Sequence, residues 1–325
     1  MVEGNVTVSL NLAATTVAAE DHAAVRSLAA SLTPGLVDDP AWVNRARALS
    51  CALPEGLRRV LRDFRRCSGQ EGLLLIRDLP IDASSLPPTP TRPLSVQRDA
   101  TIPAAVLVLF MSHLGELVAF RPEKSGALVQ DVVPVPGQEQ MQGNAGSTRL
   151  EMHTENAFHP HRPDFLALLC LRGDHDGSAG LQVASIRRAL PLLPDDVVSV
   201  LAQPRFVTAA PPSFGAGAGD AVPQPVLRGS VDDPDLVVDF AATRALDPDA
   251  ERALAVLQEA LISVGQTAVL SPGDLVIVDN RVAVHGRTAF TPRYDGQDRW
   301  LQRTFVHLDF RRSRALRALD GHVVV

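Results

Sequence analysis

The chain has 325 residues with a net charge of −6, is 46% hydrophobic and 21% charged, and so has the composition of an ordinary globular protein rather than a disordered one. Acidic and basic residues are interspersed, and no basic face is evident, which argues against nucleic acid as a partner. The three cysteines (Cys51, Cys67, Cys170) are too few and too scattered for a disulfide framework or a paired-cysteine metal site, which fits a reducing, cytoplasmic setting. The N-terminus lacks a basic stretch ahead of an apolar run, so no signal peptide is expected, and no apolar run approaches the roughly 18 residues of a membrane span.

Residues 17–72 carry Ala, Leu and Arg at helical spacing, and the arginines of 57–66 read as a solvated helix face, as do those of 311–317. Gly72-Leu-Leu-Leu-Ile-Arg is expected to form a strand, 81–98 a Pro- and Ser-rich connector, and 101–118 a second, largely buried helical block. From about residue 125 short apolar or alternating runs follow one another: 127–133, 164–171, 179–185, 205–209, 235–240, 266–270, 274–278 and 302–309. Gly, Pro and Asp separate them, the cadence of an antiparallel sandwich or barrel, with helices interrupting at 193–202 and 248–264. The aperiodic, glycine-rich stretch within 209–223 is the candidate lid.

His153-Thr154-Glu155, taken with the distant His285, supplies two imidazoles and one carboxylate, the minimal ligand set of an open non-haem Fe(II) site. On a strand, residues i and i+2 share a face; on a helix they diverge by roughly 200°. A lone His-x-Glu is weak by itself, and His285, just after an apolar strand, joins it only if the fold brings two strands together. Arg299 and Arg303, four apart in a strand-like run, would share an inward face, where a guanidinium requires an anion. His159 and His161 read as polar loop residues, His113 as a packed core histidine in an apolar helix, and Trp300 as pointing to the opposite face from Arg299. Asp279 and Asn280 either orient the metal site or form a plain turn.

His153-x-Glu155, His285-Gly-Arg and Arg299 fourteen residues later resemble the iron- and 2-oxoglutarate-dependent oxygenases of the clavaminate synthase-like group. Gly126-Ala-Leu-Val-Gln-Asp-Val-Val-Pro-Val-Pro-Gly, His161-Arg-Pro-Asp-Phe, Val278-Asp-Asn-Arg and Arg293-Tyr-Asp-Gly-Gln-Asp-Arg-Trp-Leu-Gln-Arg resemble its free-amino-acid hydroxylases, as does Gly143-Asn-Ala-Gly-Ser-Thr. The resemblance covers most of the chain. It implies a mainly β fold with flanking helices, built on a double-stranded β-helix (jelly-roll, cupin-like) core. It further implies one oxygenase domain over 1–325, with a helical part to about 120 and the core from about 121.

The resemblance also implies cofactors and roles. Fe(II) would be held by His153, Glu155 and His285, with 2-oxoglutarate as cosubstrate on Arg299 and O2 as oxidant. Arg303 would take the carboxylate of a small-molecule amino-acid substrate, Glu123 and Asn144 its amino and polar groups, and Asp239 its side chain. The presence of Glu155 argues against a halogenase. The expected reaction is 3-hydroxylation of L-asparagine for nonribosomal-peptide or other secondary metabolism. Glutamine, citrulline, arginine or lysine are the alternative substrates, desaturation the alternative outcome, and a non-catalytic metal- or amino-acid-binding barrel the alternative class. Asp239, read as a strand residue, decides the substrate: related arginine hydroxylases carry a second acid two positions on, where this chain has Ala241. Two departures stand out. Thr154 occupies a position where an amide residue is expected, and Leu181 one where a cosubstrate-binding threonine is expected.

Overall fold

Three helices occupy the region read as one helical stretch, α1 (Ala19–Ser31), α2 (Pro40–Ser50) and α3 (Glu55–Arg66). Both breaks between them end at prolines. Pro40 starts α2, behind an Asp39 carboxylate that accepts from Ala41 N at 2.9 Å, and Pro54 caps α3. On α3, Leu57, Leu61 and Phe64 are buried and Arg59, Arg62 and Arg66 exposed, the solvated arginine face expected. The architecture comes from a computed structural model, in which residues 14–214 and 222–325 are described. The centre of the expected lid, 215–221, lies outside the described residues.

The helix expected over 101–118 stops early. α4 spans Ile102–Leu114, and Glu116–Phe120 is a strand. Gly115 separates them, since a Cβ there would lie 2.6 Å from the His307 carbonyl oxygen. His113 is half-buried on α4 rather than packed in the core.

The strands are β1 (Ala14–Thr16), β2 (Leu73–Arg77), β3 (Glu116–Phe120), β4 (Gln130–Val132), β5 (Leu150–His153), β6 (Phe165–Arg172), β7 (Gly180–Ser185) and β8 (Phe206–Thr208). There follow β9 (Leu227–Gly229), β10 (Pro234–Leu236), β11 (Thr243–Ala245), β12 (Gln266–Val269), β13 (Leu275–Asp279), β14 (Ala283–Arg287), β15 (Trp300–His307) and β16 (Val323–Val324). Helices α5 (Ile186–Ala189), α6 (Asp195–Leu201) and α7 (Pro248–Val264) interrupt them, the last two where expected.

Two sheets face each other. The larger runs β1-β2-β13-β6-β15-β3-β16 with β4 also on β15, and the smaller runs β12-β7-β14-β5. Pairing is antiparallel except at the outer β1/β2 and β3/β16 pairs. Leu168, Leu181, Val183, Val278, Leu301 and Phe305 pack between the sheets. The larger sheet's other face rests on α1–α4, and the smaller sheet's other face on α7 through Ala184, Val284, Leu257 and Leu261. This is the double-stranded β-helix with flanking helices that the sequence implied. No helix among the described residues is long and apolar enough to cross a membrane.

Alternation along β15 sets the chemistry. Leu301 and Phe305 face the space between the sheets, whereas Trp300 and Val306 pack on the helical side. Trp300 Nε1 donates to Asp131 at 2.8 Å, away from the inner face, as expected. β14 was not expected as a separate strand. Gly286 interrupts its pattern, and a Cβ there would meet the Leu150 carbonyl oxygen at 2.6 Å. The 311–317 segment is not wholly solvated: Arg317 is buried against Phe310 and donates to Ser313 and Gly321.

Candidate metal and anion site

His285 on β14 stands opposite His153 on β5 in antiparallel register, and the two rings lie 4.4 Å apart between centroids. The fold therefore makes the juxtaposition that spacing alone left open. Glu155 is not on the strand with His153, however; β5 ends at His153, and Glu155 sits in the following turn. Asn280 holds it there. The Asn280 side chain accepts from Glu155 N at 2.7 Å and donates to the Glu155 carbonyl at 3.1 Å and the Pro163 carbonyl at 2.8 Å. Asn280 thus orients the site, whereas Asp279 fastens Arg281 and Ser68 instead.

The donor atoms suit a divalent cation. One atom from each of His153, Glu155 and His285 lies within 4.8 Å of the others. His153 Nδ1 is engaged by the Glu151 carbonyl at 2.9 Å, which leaves Nε2 for a metal. Glu155 Oε2 is buried, accepts no hydrogen bond, and lies 3.4 Å from His285 Nε2, a contact outside hydrogen-bond geometry. Burial alone would raise the Glu155 pKa, but the Arg303 guanidinium, with His285 and His153, overrides it and holds the carboxylate ionised. Burial, reinforced by His153, pushes His285 down to about 4, so it is neutral and able to ligate. The site fits a ligand set of two imidazoles and a carboxylate with open positions.

The other cluster of such groups among the described residues, His175, Asp295 and Asp298, fastens a turn. Both Asp298 oxygens accept backbone N–H groups, from Arg293 at 2.7 Å and Tyr294 at 2.6 Å. His159 and His161 stand outside both clusters. His159 meets the edge of Phe120 at 4.9 Å, and its Nδ1 accepts from His161 N.

Arg303 is the hub of the site. Its Nη1 donates to Glu155 Oε1 at 3.0 Å, and its Nη2 donates to Gln130 Oε1 at 2.5 Å and to Glu123. The Asn144 amide, with its oxygen toward the guanidinium, accepts at 2.9 and 3.3 Å. Arg303 Nε has no acceptor among the described residues. Arg303, Glu123 and Asn144 are therefore brought together beside the metal ligands. Burial raises the Glu123 pKa against the opposing pull of Arg303. Glu123 Oε2 also accepts from Asn156 at 3.3 Å.

Asp239 adjoins His153 through a backbone bridge, at a turn rather than inside a strand as expected. Its Oδ1 accepts from Ala241 N at 2.8 Å and Ala242 N at 3.2 Å. Thr154 points away from the metal ligands and staples this segment to β5: its N–H donates to the Val238 carbonyl at 2.7 Å, and its hydroxyl accepts from Val238 N at 3.2 Å.

Arg299 lies immediately before β15, is 6% exposed, and has its Cζ 5.9 Å from the Phe290 ring centroid. No carboxylate among the described residues is within ion-pair distance of it, and burial lowers its pKa. A buried guanidinium without an acid marks a place for a ligand anion.

The profile of the family described as taurine catabolism dioxygenase TauD, TfdA family matches residues 98–305. The chain belongs to this dioxygenase family. L-asparagine oxygenase of Streptomyces coelicolor is 56% identical over 295 residues, covering 91% of this chain and 89% of that protein. Clavaminate synthase 2 of Streptomyces clavuligerus is 36% identical, covering 82% and 84%. A crystal structure of asparagine oxygenase with Fe(II), 2S,3S-3-hydroxyasparagine and succinate superposes with a TM-score of 0.93 at 54% identity, covering 95% of this chain and 98% of that one.

Sequence reasoning missed Gln130 and Asn156 as members of this dioxygenase site. Each is a single amide in an unremarkable run, and only the pairing of β4 with β15 and the turn after Glu155 carry them to Arg303 and Glu123.

Proposed function

We propose that this dioxygenase uses Fe(II), 2-oxoglutarate and O2 to hydroxylate a free L-amino acid, and that the amino acid is L-asparagine, hydroxylated at carbon 3. The carrying observation is a two-histidine, one-carboxylate set beside one buried arginine lacking an acid and a second in a polar cluster. High identity to an asparagine oxygenase over nearly the whole chain supports the substrate. The metal, when bound with 2-oxoglutarate, supplies the oxidising chemistry: O2 is consumed, one oxygen atom enters the substrate as hydroxyl, and 2-oxoglutarate leaves as succinate and CO2.

The residues divide the rest of the work. His153, Glu155 and His285 hold the metal. Arg303 uses one oxygen of Glu155, so the carboxylate presents only its second oxygen to the ion. Arg299 grips the distal carboxylate of 2-oxoglutarate, a planar pairing that lysine cannot reproduce. Arg303 and Asn144 take the substrate carboxylate, and Glu123 its ammonium group. Asp239 receives the side chain. With Oδ1 committed to two backbone N–H groups, it offers one free oxygen, which suits the N–H of a carboxamide better than a guanidinium that pairs bidentately. The free, exposed thiols of Cys51 and Cys67 suit a reducing cytoplasm.

The test is a panel of the twenty amino acids, citrulline and ornithine with Fe(II) and 2-oxoglutarate in air. Succinate release greatest with asparagine, and a product heavier by one oxygen atom with the hydroxyl on carbon 3 by NMR, are the expected results. Arginine or lysine as the preferred substrate overturns the reading of Asp239, and a product lighter by two hydrogens replaces hydroxylation with desaturation.

A further inference from the structure

A second guanidinium shares the Phe290 ring with Arg299. Arg287 lies two residues beyond His285 on β14, so the two side chains leave the strand on the same face. That face is the inner one: Ala283 belongs to the core between the sheets, while Val284 packs toward α7. Opposite Arg287 in register is Leu181 of β7, also an inner-core residue.

Arg287 is 4% exposed, and its Cζ is 5.3 Å from the Phe290 centroid. Its Nη2 donates to the Thr148 carbonyl at 3.0 Å, while its Nε is buried without an acceptor. No carboxylate among the described residues is in ion-pair range of Arg287 either. Burial, with the like charge of Arg299 adding to it, brings its pKa down to about 9. Two buried cations near one ring, neither within ion-pair distance of a carboxylate among the described residues, repel each other and lack solvation. A bound anion removes both penalties. One backbone carbonyl explains a single Nη of Arg287 and nothing of its charge.

We propose that Arg287 is the second contact to the distal carboxylate of 2-oxoglutarate, held jointly with Arg299 across Phe290, beside the apolar Leu181. This rests on the cosubstrate reading of Arg299. With the keto-acid end at a metal held by His285, the far carboxylate would fall toward Arg287, two positions along the same strand at about 3.3 Å per residue. Position 181 then needs no hydroxyl, because the residue facing it across the strand pair supplies the donor.

The experiment titrates the full-length, Mn(II)-loaded protein with 2-oxoglutarate and with 2-oxopentanoate, the keto acid of equal length without the distal carboxylate. Binding is measured by calorimetry. Arg287→Gln is expected to weaken 2-oxoglutarate by about tenfold or more, as loss of a charge-assisted bond does, and to leave 2-oxopentanoate unchanged. Arg287→Lys, which keeps the charge, is expected to recover part of the loss and serves as the readout if Arg287→Gln does not fold. An equal loss for both ligands marks a structural role and overturns the proposal, as does unchanged 2-oxoglutarate affinity. Arg299→Gln runs in parallel. A large effect there with none at Arg287 overturns this inference alone, whereas no effect at either position overturns the cosubstrate reading with it.

Discussion

Arg299, just before β15, and Arg303, four residues on within it, are both more than nine-tenths buried, and their surroundings are opposite. Arg303 is surrounded by acceptors from Glu155, Glu123, Gln130 and Asn144, whereas Arg299 has an aromatic ring, a second arginine and, among the described residues, no carboxylate within ion-pair distance. Glu155 and Glu123 raise the pKa of Arg303 against burial, and burial lowers that of Arg299. One guanidinium already has two of the protein's carboxylates as counter-charges and sets which oxygen of Glu155 is left for a metal, so that a substrate carboxylate meets it as a further acceptor rather than as its only anion. The other is balanced only when a ligand anion arrives. Burial alone therefore says little about an arginine's task, while the presence or absence of its counter-charge says much.

The comparison can be broken by mutation, beginning with the metal ligand itself. Glu155→Ala is expected to reduce metal affinity and turnover by more than the about 10–100-fold typical of losing a ligand's hydrogen-bond partner, measured by metal titration and succinate release. Arg303→Met leaves two buried carboxylates without their cation, so the ligand-free protein is expected to lose ~3–5 kcal/mol of stability in denaturant titration. Arg299→Met removes a buried charge that has no partner. The ligand-free protein is expected to unfold at an unchanged or higher temperature while losing 2-oxoglutarate binding. A stability loss at Arg299 matching that at Arg303 would erase the distinction between them. Asn280→Ala, which frees the Glu155 backbone, is expected to weaken metal binding by about 10–100-fold with little change in affinity for the keto acid. The smallest effect is expected for Thr154→Val: about 1 kcal/mol of stability from the lost hydroxyl bonds, with a higher KM for the amino acid, because Thr154 positions the Asp239 segment rather than the metal.

Much of the fold was legible because apolar periodicity reports which face of an element is buried. β6, β7, β13 and α7 fall within one residue of their sequence patterns. β3 was hidden behind α4 because an apolar run reads alike in both states, and only the close approach of His307 at Gly115 forces the change. β14 was hidden by Gly286, a residue that weakens a strand pattern yet is required where Leu150 passes.

By itself, the sequence determined the set of donors: two imidazoles and a carboxylate, two arginines at like-facing positions, and the cadence of an antiparallel sandwich or barrel in which to place them. Residue type and local spacing carry that information because they are properties of neighbouring residues. Only the tertiary structure decided that Glu155 faces His153 and His285 from a turn held by Asn280, that Asp239 has a single free oxygen, that Gln130 reaches Arg303, and that Arg287 and Arg299 both lie near Phe290. Each of these depends on which strands pair and in which register, and register is fixed by burial across two sheets, which no local stretch of chain encodes.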